Sequence, residues 1–187
     1  MTNPNARSYT TFETRNGRCA IAWSEAGIAG FLLPTTDEGD IRRWHARRVP
    51  KAGLDRPDAL VAQVIADAIR YFEGEAIDFR GVAVDLGEQS DFFREIYRSL
   101  RTVPYGQTTT YGALASELGA GREMAREVGV AMSTNPTPLI IPCHRVLAAG
   151  GRLSGFSAPA GSAAKAKMLE MEGVQIAPPA AQQAFDF

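Results

Sequence analysis

Apolar and polar positions alternate through residues 10–33, TTFETRNGRCAIAWSEAGIAGFLL, and the alternation breaks at Asn16-Gly17 and at Ala26-Gly27. A period of two marks half-buried strands, and dipeptides of this kind mark tight hairpin turns, so the segment predicts consecutive short strands. Cys19 falls inside the pattern and reads as a small core hydrophobe. Residues 34–57 lose the period and read as irregular or partly helical. Arg42, Arg43, Arg47 and Arg48 surround Trp44 and His45 there, as on a solvated helix face. Through residues 58–73 the period changes to that of a helix. Leu60, Val61, Val64, Ile65, Ala68, Ile69 and Phe72 share one predicted face, with Asp58 as the cap. AIDFRGVAVDLG, residues 76–87, then predicts a strand pair or an extended arm.

The second half is patterned differently. LGEQSD, residues 86–91, carries a glycine and a helix cap at Asp91, and predicts a domain boundary. The helix FFREIYRSLRTV follows. Two more amphipathic helices flank the short turn ELGAGR. Thr110 caps the first, with Ala113, Leu114, Ala115 and Leu118 facing inward, and the second runs from about Arg122 to Met132. Helix, tight glycine turn and helix is the outline of a helix-turn-helix. The apolar run before Pro142 predicts a buried strand that delivers Cys143. The expected fold is α+β: a small N-terminal α/β domain over residues 1–88, a mostly helical domain over 89–174, and a Pro/Ala/Gln-rich disordered tail over 175–187.

Composition adds little to this until charge is mapped. Of the 187 residues, 45% are hydrophobic and 22% charged, ordinary for a globular chain. No apolar run approaches the ~20 residues that span a bilayer, and the first residues lack the apolar stretch of a secretion signal. With only two cysteines the cytoplasm is the default compartment. The net charge of −1 hides an asymmetry, −3 over residues 1–91 and +3 over residues 92–175. A mildly basic second half suits a nucleic-acid contact of modest size.

Cys143 and His144 are neighbours in a chain with two cysteines and two histidines. The thiol has several readings. A buried structural thiol is one. A structural zinc site needs about four Cys or His ligands, and here they are scattered at 19, 45, 143 and 144, so no metal is expected. A redox pair needs a second nearby cysteine, and no C-x-x-C exists. A nucleophile is the remaining reading: free cysteine has a pKa near ~8.5, and an adjacent imidazole can activate it if an acceptor orients the ring. That reading predicts a carboxylate elsewhere in the chain, which would complete a Cys–His–acid arrangement. A hydrolase using the same pair would turn over.

The surroundings of the thiol carry a resemblance. FFREIYRSLRTVPYGQTTTYGALASELG, AREVGVAMSTNPTPLIIPCHRVLAAGG and KMLEMEG follow one another through nearly all of residues 92–173. Together they resemble the O6-alkylguanine-DNA alkyltransferases, also called methylated-DNA–protein-cysteine methyltransferases, whose N-terminal domain is variable. The resemblance implies that Cys143 accepts the alkyl group irreversibly, once per molecule. It makes His144 the water-mediated base, Glu172 its orienting acid and Asn135 the brace of the turn, and has Tyr111 and Lys165 polarise or protonate the leaving guanine. Arg126 would fill the gap left by the flipped base, with Tyr111, Met124 and Ala125 on the same DNA face. Val146, Ser157 and Met132 would line the base pocket. The implied partners are double-stranded DNA, met through the minor groove, and O6-alkylguanine, with no cofactor and a monomeric protein. A lesion-binding relative without transfer activity is the alternative, although that group carries tryptophan in place of the cysteine. Two features depart from the family: Glu127 puts a carboxylate beside Arg126, and the loop GFSAPAGSAAKAK is about two residues longer. QAFDF, residues 183–187, loosely resembles peptides that dock on bacterial sliding clamps.

Overall fold

Gly17 and Gly27 close the two predicted turns with φ of +122° and +135°, a region open to glycine at little steric cost. A Cβ on Gly17 would lie 2.8 Å from the Thr35 carbonyl oxygen, so the turn also depends on close backbone approach. The turns join β1 (Ser8–Thr14), β2 (Gly17–Ser24) and β3 (Gly27–Thr35) into an antiparallel meander. The short β4 (Gly53–Leu54) adds in parallel to β1, giving the order β3-β2-β1-β4. The computed structural model describes residues 3–119 and 121–177, and its architecture is α+β.

β2 is buried on both faces, which explains its nearly unbroken apolar run. Cys19, Ile21 and Trp23 face the helix α2 (Ala59–Phe72), while Ala20 and Ala22 face α1 (Glu38–Arg48) and its buried Trp44. α2 starts where its cap predicts, with Val61 N–H donating to Asp58 Oδ1 at 2.9 Å; such a cap contributes about 1 kcal/mol. Its inward stripe differs from the expected one. Val61, Val64, Ala68, Tyr71 and Phe72 are buried, whereas Leu60 is 80% exposed. A tyrosine therefore occupies a core position that a purely apolar reading skips. Residues 76–87 form the extended arm and no strand pair: Ile28 N–H donates to the Ala83 carbonyl, and Asp85 N–H donates back to that of Ile28.

α3 (Asp91–Leu100) is capped one residue earlier than expected, by the Ser90 hydroxyl on Phe93 N–H. Asp91 instead sits in the first turn, where its charge complements the helix dipole. The helix pair follows as α4 (Tyr111–Glu117), capped by Thr110 on Ala113 N–H, and α5 (Ala125–Thr134), entered through a 3-10 turn at Arg122–Met124. Leu114 and Ala115 face inward, but Ala113 is exposed. Tyr97 of α3 ties the pair down, its hydroxyl donating to the Ala131 carbonyl at 2.8 Å. β5 (Thr109–Thr110) pairs in parallel with β6 (Val146–Leu147), and α6 (Gly161–Met171) closes the fold.

The run before Pro142 is a buried turn, not a strand. Leu139 has φ of +79° and Ile141 N–H donates to the Thr137 carbonyl. Leu139 and Ile140 pack into the core of the N-terminal sheet, while Ile141, Cys143 and Val146 pack among α3, α4 and α5. Two successive residues on one side and the next on the other break the period of two of a strand, and the turn joins the two halves under the thiol. Phe31 N–H of β3 donates to the Pro136 carbonyl as a further link. Of the C-terminal segment, Ala177 N–H pairs with the Gly151 carbonyl; residues 183–187, the clamp-like peptide, lie outside the described residues.

Candidate active site

Cys143, His144 and Arg145 form one 3-10 turn, all three buried. Asn135, at the end of α5, holds the backbone ahead of the thiol. Its Nδ2 donates to the Ile141 carbonyl at 2.9 Å, and its Oδ1 accepts from Thr137 N–H at 3.0 Å. Burial raises the Cys143 pKa; the Asn135 amide, the Lys165 charge and the backbone N–H groups of Cys143 and His144 pull it back.

Behind the thiol, His144 Nε2 lies 2.8 Å from Glu172 Oε1. Glu172, just past the end of α6, is itself buried. Burial alone would raise its pKa, yet the hydrogen bonds and charges of His144 and Arg145 bring it down to about 2. Arg145 donates to both carboxylate oxygens through Nε and an Nη, at 2.9 Å each. The Tyr71 hydroxyl donates to Oε1 at 2.8 Å and Gly106 N–H to Oε2 at 3.1 Å. Gly106 has φ of +73°, and a Cβ there would lie 3.1 Å from the Glu172 carbonyl oxygen, so any other residue would meet backbone strain and a tight contact at once.

This crowding decides the histidine's state. Arg145, permanently cationic, neutralises the carboxylate, and burial, with the charges of Arg145 and Lys165, lowers the His144 pKa against the opposing pull of Glu172. A neutral ring that donates Nε2–H to Glu172 presents Nδ1 as a lone-pair acceptor, and Nδ1 has no hydrogen-bond partner among the described residues.

A second polar group stands across the thiol. The fully buried Lys165 donates to the Val146 carbonyl and, at 2.9 Å, to Ser154 Oγ. Ser154 Oγ is also 2.7 Å from the Tyr111 hydroxyl, so one serine links both residues. Burial brings the Lys165 pKa down to about 8, with Cys143 acting the other way. Burial likewise raises that of Tyr111.

The structure therefore gathers Cys143, His144, Glu172, Asn135, Tyr111, Lys165 and Val146 about one turn. Met132 and Ser157 line the cavities that reach the sulfur. Arg126 stands apart, exposed in the first turn of α5 beside the equally exposed Glu127; Met124 and Ala125 are half-buried at the helix start. Sequence reasoning missed Tyr71, Arg145 and Ser154. Arg145 had a signal, since an arginine inside an apolar stretch must find a buried partner. Tyr71 had a weaker one, its place on the 61-64-68 stripe. Nothing local marked Ser154. Among the described residues no group of three or more His, Cys, Asp or Glu side chains could hold a metal ion.

Fold and site together define a class: α+β proteins with a charge-backed thiol on a buried turn, packed against a helix-turn-helix. A family model described as "6-O-methylguanine DNA methyltransferase, DNA binding domain" matches residues 91–174. A methylated-DNA–protein-cysteine methyltransferase of Methanosarcina acetivorans is 38% identical over 80% of this chain and 95% of its own. A DNA base-flipping protein of Thermus thermophilus is 38% identical over 81% of this chain and 98% of its own. The Mycobacterium tuberculosis protein OGT, solved in complex with DNA, superposes with a TM-score of 0.68 at 30% identity, covering 88% of this chain and 92% of that one. The chain belongs to the 6-O-methylguanine DNA methyltransferase family. Its matches to two mycobacterial methyltransferases span 50% and 67% of their lengths. No helix among the described residues is long and apolar enough to cross a membrane.

Proposed function

We propose that this protein repairs DNA by moving the alkyl group of O6-alkylguanine irreversibly onto Cys143. The observation that carries the reading is the buried 2.8 Å contact of His144 with Glu172 beside a thiol that opens on a cavity of about 400 Å3 between Tyr111, Gly129, Met132 and Phe156. The O6 atom is inaccessible within a duplex, so the base must be flipped out, at a cost of a few kcal/mol. α5 would meet the minor groove, with Arg126 filling the gap and Met124, Ala125 and Tyr111 beside it.

In the pocket, His144 takes the thiol proton at Nδ1, directly or through one water. Glu172 keeps the ring oriented, while burial and the charge of Arg145 keep it neutral beforehand. The sulfur then attacks the alkyl carbon in line, the C–O6 bond breaks, and its electron pair passes to the purine. Tyr111 supplies the purine's proton, and Ser154 and Lys165 support the tyrosinate that forms. Val146 and Ser157 face the base edge. The product is a thioether, and no group in the site is arranged to cleave it, so each molecule acts once. The reading needs no cofactor and no second copy of the chain, and it suits the cytoplasm. The N-terminal half, to about residue 88, serves as a structural support for the turn.

Incubation with a duplex containing O6-methylguanine, followed by intact mass measurement, should give one added methyl group per protein, located on Cys143. Several turnovers per molecule would overturn the proposal in favour of a hydrolase. Tight duplex binding with no mass gain would replace it by lesion recognition without transfer.

A further inference from the structure

Tyr71 is the penultimate residue of α2, in the half of the chain given a supporting role above, yet its hydroxyl ends beside the acid and the ring. It donates to Glu172 Oε1 at 2.8 Å and lies 3.4 Å from His144 Nε2. The side chain is fully buried. Phe72, Phe79 and Tyr105 meet its ring edge to face, with centroids at 5.2, 6.2 and 6.1 Å, and fix where the hydroxyl points. A phenylalanine would fill the same space. Burying the hydroxyl costs free energy unless it is bonded, and its bond goes to the acid.

We propose that Tyr71 is a positioning residue for the transfer: by donating to Glu172 it holds His144 as the neutral Nε2–H tautomer. The N-terminal half then contributes to the reactivity of the site as well as to its support. The inference rests on the transfer reading above.

Oε1 is the crowded oxygen of Glu172. It faces the Tyr71 hydroxyl and His144 Nε2 at 2.8 Å each and an Arg145 Nη at 2.9 Å. Oε2 receives Arg145 Nε and Gly106 N–H. A carboxylate oxygen has two lone pairs, so three donors on Oε1 must share them, and each weakens the bonds of the others. Tyr71 thereby takes part of the pull that Glu172 exerts on His144 Nε2–H. A weaker pull leaves Nδ1 less basic and the ring uncharged.

The tautomer follows from a single proton. A hydroxyl owns one, and 2.8 against 3.4 Å places it toward Glu172. None remains for Nε2, and the ionised carboxylate offers none, so Nε2 carries its own hydrogen. The lone pair is left on Nδ1, the atom that takes the thiol proton. The other groups acting on the ring pull both ways: Glu172 raises its pKa, while Arg145 of the same turn and Lys165 of α6 lower it. Burial holds the Cys143 thiol and the Tyr105 hydroxyl protonated at neutral pH. Burial and Glu172 raise the pKa of Tyr71 well above its ordinary value, so it stays a donor.

The test uses the full chain and Tyr71→Phe, which keeps the ring and removes the donor. With only two histidines in the chain, both rings can be assigned by NMR in isotope-labelled protein without DNA. In the wild type at pH 7 the His144 ring should be neutral with its hydrogen on Nε2. A charged ring or the other tautomer would overturn the proposal, whether or not the variant folds. In Tyr71→Phe the Nε2–H resonance should move downfield as its bond to Glu172 strengthens, and the ring pKa should rise by about half a unit. The single-turnover rate of methyl transfer, variant over wild type, should then be roughly threefold lower at pH 5 than at pH 8. Tyr105→Phe is the control, because that hydroxyl donates to the Met171 carbonyl, and it should move neither readout. An unmoved resonance, a rate ratio independent of pH, or equal changes in the control would reduce Tyr71 to packing and overturn the proposal. Ring spectra as expected with no methyl transfer at all would overturn the transfer reading instead.

Discussion

The molecule buries two thiols, and their surroundings differ in sign. Cys19, within β2, has its pKa driven up strongly by burial; a hydrogen bond with Thr14 opposes the shift, and the charge of Glu13 adds to it. Cys143 is raised by burial too, but Lys165, Asn135 and two backbone N–H groups oppose the shift. Cys19 sits in the sheet, paired with Phe12 of β1 at a point where the register of β2 with β3 shifts. Cys143 sits on a tight turn whose backbone N–H groups act against the burial shift, beside a ring held neutral. Burial alone makes a thiol inert; burial with an adjacent acceptor and opposing dipoles stores it for one reaction.

The comparison breaks most sharply on removal of either sulfur. Cys143→Ala should abolish alkyl uptake from an O6-methylguanine duplex, read by intact mass, while leaving duplex binding measurable. Cys19→Ala should leave uptake complete. Loss of uptake in the second variant alone would reverse the assignment.

Glu172→Gln comes next, because it frees the ring to reorient and removes the anion that Arg145 neutralises. The single-turnover rate should fall roughly 100-fold. An unchanged rate would mean that the thiol loses its proton without His144.

Glu172 also predicts an acid limit. Its pKa stands at about 2 against an ordinary 4.5, so the folded state holds fewer protons than the unfolded one between those values. The stabilisation is complete above about pH 4.5 and is lost as pH falls toward 2, to the extent of about 3 kcal/mol. Urea unfolding followed from neutral pH to about pH 3 measures the first part of this loss, about 2 kcal/mol. Glu172→Gln should flatten this part of the profile, whereas Cys19→Ala should leave its shape unaltered.

Ser154→Ala should have the smallest effect. It removes the hydroxyl that joins Tyr111 to Lys165 while leaving both in place, and should slow transfer roughly three- to fivefold, about the worth of one hydrogen bond. A larger loss would make the serine a proton carrier in its own right.

Much of the fold was legible because local rules acted without competition. The hairpin glycines and the Asp58 and Thr110 caps formed where the pattern predicts, and α2 kept the predicted helical period over most of its stripe. The misses share a cause. Leu60 and Ala113 lie at the margins of amphipathic stripes, where the neighbouring element decides which side is covered. Tyr71 was passed over because its ring packs as a hydrophobe while its hydroxyl reaches Glu172, 101 residues away. The run before Pro142 had the composition of a strand, but it packs on two sides in turn, which no local period encodes.

The sequence by itself determined the family, the reactive thiol, its histidine, and the need for a distant acid, because these follow from residue chemistry at fixed short spacing. Only the tertiary structure decided that Arg145 and Tyr71 hold that acid, and that Ser154 joins Tyr111 to Lys165. Those relations connect segments tens of residues apart, and packing alone brings such groups within hydrogen-bonding distance.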